Sequence, residues 1–225
     1  MAVITIIIGL VAWYMKNKDD LGGALSSAIG GSDGETSIAE SGNINFDTQG
    51  LTEFEMTNKK FTLWENCELI DHRNNDGDSF YVKHPDGENE VRLYFVDTAE
   101  SRLHQYNGDR IADQGEYFGG LSQAKTIEAG KKGKEITLGL LKGRKFTMLT
   151  KWEMDPSNKR PHVYVLIEKG GKQYYLHEIL TRSGLVRTKT RGAELPDGTD
   201  FYTQRDKIKA MEQLAKQAKR GAWGM

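Results

Sequence analysis

Apolar and polar positions change rhythm three times along the chain. The first fifteen residues, MAVITIIIGLVAWYM, carry no charge and run into Lys16 and Lys18. Residues 22–50 are rich in Gly and Ser and poor in large side chains, so they bury too little surface to offset the entropy of ordering. From Phe61 onward short alternating runs take over. Residues 63–70 predict a strand that enters the polar turn DHRNNDGD at 71–78. SFYVK at 79–83 predicts a second strand, Pro85-Asp86-Gly87 a turn, and VRLYFV at 91–96 a third strand of the same meander. KFTMLTKW at 145–152 and HVYVLIE at 162–168 predict two more, with Gly170-Gly171 as the following hairpin turn.

Helical spacing marks fewer segments. Leu176, Ile179 and Leu180 share a face over 175–183, closed by Gly184, and Ile208, Met211, Ala215 and Ala218 form a stripe along 204–220. Residues 135–141 read as the end of a helix, while 102–131 are expected to be irregular with a short helix around 111–118. Five strands with interspersed helices predict an α+β, β-rich fold: a five-stranded barrel of the OB type with about three helices. The chain thus divides into a hydrophobic targeting or anchor segment (1–20), a Gly/Ser-rich linker (21–60) and the barrel domain (61–225).

Composition fits a solvated domain, with 37% apolar and 28% charged residues in 225. The single cysteine, Cys67, excludes an internal disulfide framework and every multi-cysteine zinc site, and its place in a strand beside Trp64 makes it a small core hydrophobe. The net charge of −1 argues at first against a polyanionic partner. It is an average, however. Residues 1–60 hold four basic and eight acidic side chains, and 61–225 hold 27 and 24, a net of +3. As a helix the leading apolar run would be roughly 22 Å long against a hydrocarbon core of about 30 Å. It suits either a membrane anchor or the apolar region of an export signal, with a buried strand as the third reading. Lys16 and Lys18 after the run point to a cytoplasm-facing domain by the positive-inside rule, but the extracytoplasmic placement, anchored or secreted, is the expectation.

Two short stretches carry candidate chemistry. Asp76-Gly77-Asp78-Ser79 is a tight acidic turn between two strands, and RLYFVDTAE spans Arg92 to Glu100. If the hairpin ends lie side by side, Asp78, Asp97 and Glu100 converge. Carboxylates without thiolate or imidazole select calcium or magnesium over zinc. The turn is not an EF-hand, because alignment on Gly77 puts His72 and Lys83 where that loop needs carboxylates. A metal, an arginine and a spare carboxylate suit attack on a phosphodiester. The five histidines show no ligand spacing.

Taken in order, IDHRNNDGDSFYVK, VRLYFVDTAES, KRPHVYV, a Gly-Leu-Val-Arg and EQLAKQAKRGAW resemble the staphylococcal (micrococcal) nuclease family over residues 61–225. The resemblance implies an OB-fold barrel and a monomeric, calcium-dependent nuclease acting on DNA, RNA or both. It implies that Asp78, Asp97 and the Thr98 carbonyl hold calcium, that Arg92 binds the phosphate, that Arg160 stabilises the charged transition state and leaving group, and that Glu100 holds or deprotonates the attacking water. Arg187, Lys189 and Arg191 fall near the family's pocket wall and are candidate nucleic-acid contacts. The chain departs from the family in several places. Ala99 replaces the usual proline, Ser157-Asn158-Lys159 precedes Arg160, Thr190 and Gly192 stand where pocket tyrosines are found, and the segment from Ser101 to about Lys132 is longer. These departures imply altered base binding on an intact set of chemical side chains. The alternative of a different class is a catalytically idle module of this fold that binds nucleic acid or protein.

Overall fold

The computed structural model describes residues 44–154 and 159–225. The described residues form one compact unit. The anchor expected over 1–20 and the linker as far as residue 43 lie outside the described residues, as do 155–158. Among the described residues no helix is long and apolar enough to cross a membrane.

The elements run β1 (Thr62–Leu69), β2 (Ser79–His84), β3 (Gly87–Leu93), β4 (Val96–Thr98), α1 (Gly108–Tyr117), α2 (Gln123–Leu141), β5 (Lys145–Met154), β6 (Pro161–Lys169), β7 (Lys172–Tyr175), α3 (Leu176–Arg182), β8 (Val186–Thr188) and α4 (Phe201–Gln217). A 3₁₀ turn, Gly221–Gly224, ends the chain. The sheet order β3-β2-β1-β5-β6-β7 is closed by a parallel pairing of β3 with β6, in register Arg92 to His162 and Leu93 to Val163. The result is a closed five-stranded mixed barrel with β7 added beyond β6, an α+β fold consistent with the OB-like expectation. The interior is built from Trp64, Cys67, Phe80, Val82, Val91, Leu93, Met148, Val163 and Val165, all buried, with a register shift in β1 between Trp64 and Cys67. Cys67 sits in that core, with burial pushing its thiol up to about 11.

Three expectations are corrected. The strand read over 91–96 breaks at Phe95, which adopts a left-handed φ of 68° and exchanges backbone hydrogen bonds with Arg191 and Thr190. The break lets β4 leave the barrel and pair with the short strand β8, Asp97 opposite Arg187. The region 102–131, expected to be mostly irregular, is largely helical, so four helices are present among the described residues instead of about three. Residues 44–60, read as linker, lie on the barrel: Ile44, Phe46, Leu51 and Phe54 pack against the core, and Glu53 bridges Tyr174. Thr52 also donates both its N–H and its hydroxyl to Glu178, whose carboxylate is fully buried.

Close approaches bring α2 to the site. A Cβ on Gly130 would lie 2.4 Å from the Glu100 carbonyl oxygen, so only glycine lets the helix rest on the end of β4. A Cβ on Gly77 would lie 2.6 Å from Thr98 Cγ2, which accounts for the glycine between two aspartates. The Thr137 hydroxyl donates to the Gly77 carbonyl at 2.7 Å and fixes the turn from the helix side.

Candidate functional site

Five chain segments meet at one open cleft of about 160 Å³. The turn before β2 contributes Asp76 and Asp78, β3 contributes Arg92, and the residues at and after β4 contribute Thr98 and Glu100. Arg160 enters just ahead of β6, and Arg110 comes from α1. Asp97 stands beside this lining, buried. The arrangement follows from the register. Ser79 pairs with Arg92, and the Leu93 N–H donates to the Asp78 carbonyl at 2.8 Å, so the acidic turn and the arginine share one end of the barrel. The Thr98 N–H donates to Asp78 Oδ2 at 2.9 Å and joins the turn to β4.

Charges inside the cleft are unevenly matched. Asp97 accepts from Arg92 at 2.7 Å and Arg110 at 2.8 Å on Oδ1, and from Arg187 and Gln114 on Oδ2. Burial alone would raise its pKa, but Arg110, Arg187 and Arg92 together hold it below the ordinary carboxylate value. Asp78 is different. Burial raises its pKa, Asp97 adds to the rise, and Arg92 at 3.2 Å only partly offsets it. Asp76 is pushed up to about 7, first by burial and then by Asp78, with Glu100 contributing. Asp97 is therefore met by three guanidiniums, whereas Asp78 shares the Arg92 guanidinium with it.

That donor chemistry suits a hard cation. Asp76, Asp78 and Glu100 offer oxygens that repel one another, and the Thr98 hydroxyl is buried without a partner among the described residues. The Thr98 carbonyl accepts from Gln114 at 3.0 Å. Among the described residues no three acidic, His or Cys side chains are gathered closely enough to hold an ion by themselves, in keeping with Asp97 being drawn to its arginines.

The sequence-predicted residues fall as follows. Asp78, Arg92, Thr98, Glu100 and Arg160 line the cleft, with Arg160 ion-paired to Glu90 at 3.2 Å. Arg187, expected among surface contacts, is buried between Asp97 and Asp113. Lys189 also pairs with Asp113, at 2.9 Å, and Arg191 is half-exposed, 3.9 Å from Glu153. Sequence reasoning missed Asp76 as a member of the site, together with Arg102, His104 and Arg110 on the long segment after Glu100. It also missed Gln114, fully buried, which accepts from the Glu100 N–H at 2.9 Å and ties α1 to the strand end. The signal was available for Asp76, one residue from Gly77 in the same acidic turn. For Arg110 and Gln114 it required knowing that the segment is a helix.

Compared with known proteins, the chain matches no family model, and no curated protein matches it.

Proposed function

We propose that this chain is a calcium-dependent phosphodiesterase that hydrolyses DNA, RNA or both. The observation that carries the reading is the convergence of Asp78, Arg92, Thr98, Glu100 and Arg160 on one cleft from separate stretches of sequence. Asp78 and Asp97, with the Thr98 carbonyl, are the residues that would hold calcium. A hard cation there supplies positive charge to a non-bridging phosphate oxygen as charge builds toward the transition state. The protein's own groups do the rest. Arg92 is fixed in direction by Asp97 and Asp78, and Arg160 by Glu90, so two guanidiniums face the phosphate without reorganising. Glu100 is held by Arg110 at 3.0 Å and Asn107 at 3.2 Å, positioned to orient a water molecule for attack. Calcium at an open cleft of this kind calls for an extracytoplasmic setting, which the apolar run at 1–15 would provide as an anchor or export signal.

One observation favours a second reading, an idle module that binds nucleic acid without cutting it: both oxygens of Asp97 are already taken by side chains. A single assay separates the two. The purified full chain should degrade single-stranded DNA in millimolar calcium and stop when a chelator is added. Glu100→Gln should lower the rate on the order of a hundredfold or more with the fold intact. Folded protein that leaves DNA and RNA uncut at millimolar calcium and alkaline pH sinks the enzyme reading.

A further inference from the structure

The guanidinium of Arg110 bridges two carboxylates. Its Nη2 lies 2.8 Å from Asp97 Oδ1 and its Nε lies 3.0 Å from Glu100 Oε1. On the reading above, these are the side chains that would face the cation and the attacking water. Arg110 does not neutralise Asp97 alone: Arg92 and Arg187 also do so, from buried positions, with side chains 8% and 5% exposed. The Arg110 side chain is 45% exposed, and it projects from α1, an element outside the barrel. It therefore adds a third positive group to a carboxylate that has two. A divalent ion entering beside Asp78 and Asp97 would repel this guanidinium at a few ångströms. The buried pair of arginines cannot yield, but the half-exposed one can turn into solvent.

We propose that Arg110 is a positioning residue that competes with the metal for Asp97 and Glu100, holding the two carboxylates together in the metal-free protein and releasing them when a cation binds. The inference rests on the site being a cation site. Its energetic scale follows from the exposure. Two ion pairs must be given up, each joining the half-exposed guanidinium to a largely buried carboxylate, and giving up two such pairs lowers apparent affinity by about fivefold in all. Lysine keeps the charge but has no fork with which to bridge two carboxylates, so Arg110→Lys falls between the wild type and a neutral variant.

Isothermal titration of the full chain with calcium chloride tests this directly. Arg110→Gln should bind calcium about fivefold more tightly than wild type, and Arg110→Lys less tightly than Arg110→Gln. In the wild type, the Arg110 Nε–H resonance in ¹⁵N NMR should be sharp and protected without calcium, and lose its protection as calcium is added. An unchanged or weaker affinity in Arg110→Gln, with calcium still bound by the wild type, overturns the competition and leaves the site reading standing. Binding by Arg110→Gln alone supports it in its strongest form. Failure of both proteins to bind at millimolar calcium overturns the site reading and the competition with it.

Discussion

Replacing Asp97 by Asn should damage the fold as well as the chemistry, and the structure sets the scale. The carboxylate is 4% exposed and faces two guanidiniums that are themselves buried, Arg92 and Arg187. A pair of unit charges about 4 Å apart interacts with roughly 4 kcal/mol at an effective dielectric of ~20, so each pairing is sizeable before desolvation is subtracted. Asparagine keeps one acceptor but turns an amide N–H₂ toward a guanidinium, leaving donor against donor. Removing one partner of a buried pair costs about 3–5 kcal/mol. The lower end applies here, because Arg92 retains Asp78 at 3.2 Å and Arg187 retains Asp113 at 2.6 Å. Arg110 can turn to water. About 3 kcal/mol in a domain of this size corresponds to a fall in Tm of roughly 6–12 °C. Differential scanning calorimetry in a chelating buffer reads this without any metal contribution, with Glu100→Gln, whose side chain is less buried, as the comparison. An Asp97→Asn protein with wild-type Tm would refute the claim that Arg92, Arg187 and Asp97 form a structural unit.

Two further outcomes follow from groups away from the cleft. Burial depresses the His177 pKa from 6.5 to about 4, with Lys207 adding to the effect and Glu178 opposing it. The unfolded chain therefore binds more protons between those values, and stability falls as pH drops from about 6.5 toward 4, by roughly 3 kcal/mol from this group. His177→Gln should flatten that part of the urea-midpoint profile, and an unchanged profile would show that another group carries it. Beginning the chain at residue 61 should destabilise the barrel by about 4 kcal/mol or more, since the cut removes four packed hydrophobes and the Thr52 bonds to the buried Glu178. Equal denaturation midpoints for chains starting at 41 and 61 would show that residues 44–60 only rest on the surface.

The barrel was legible because its strands are short runs of β-branched and aromatic residues bounded by turn signals. In β2 the buried Phe80 and Val82 alternate with the more exposed Tyr81 and Lys83, while β6 is buried from Pro161 through Ile167 and reads as a near-continuous apolar run. The helix α2 was not legible beyond its last turns, for a physical reason. Its buried positions are Thr126, Ala129, Gly130, Gly133 and Thr137 before Leu140 and Leu141. A contact face made of small residues leaves no apolar stripe to read, yet it is this smallness that lets the helix touch Glu100 and Gly77. The strand β8 is three residues long and takes its identity from pairing with β4, a long-range contact that local pattern does not contain. At the site, Asp78, Arg92, Thr98 and Glu100 were visible because each lies at a strand end in a short acidic or basic motif. Arg187 was misplaced by the same logic: its charge pointed to the surface, whereas Asp97 draws it inside.

That inward pull changes which cations are left to meet a polyanion. Of the three basic residues expected along the pocket wall, Arg187 is consumed by Asp97 and Asp113, and Lys189 shares Asp113 with it. The cleft instead draws its outward-facing charge from the long segment after Glu100, where Arg102 and Arg110 line the opening. The same segment supplies Gln114, which ties the strand end bearing Thr98 and Glu100 to α1. On the proposed reading, a phosphate entering the cleft would meet arginines supplied by two sources, Arg92 and Arg160 from the barrel and Arg102 and Arg110 from the segment after Glu100. Arg92 and Arg160 have side chains 8% and 15% exposed and are held by acidic partners, so they are preorganised and slow to adapt. Arg110 is 45% exposed and bound to carboxylates that a cation would claim. In this protein the variable electrostatics of the cleft therefore belong to the helical segment after Glu100, and the fixed electrostatics belong to the barrel.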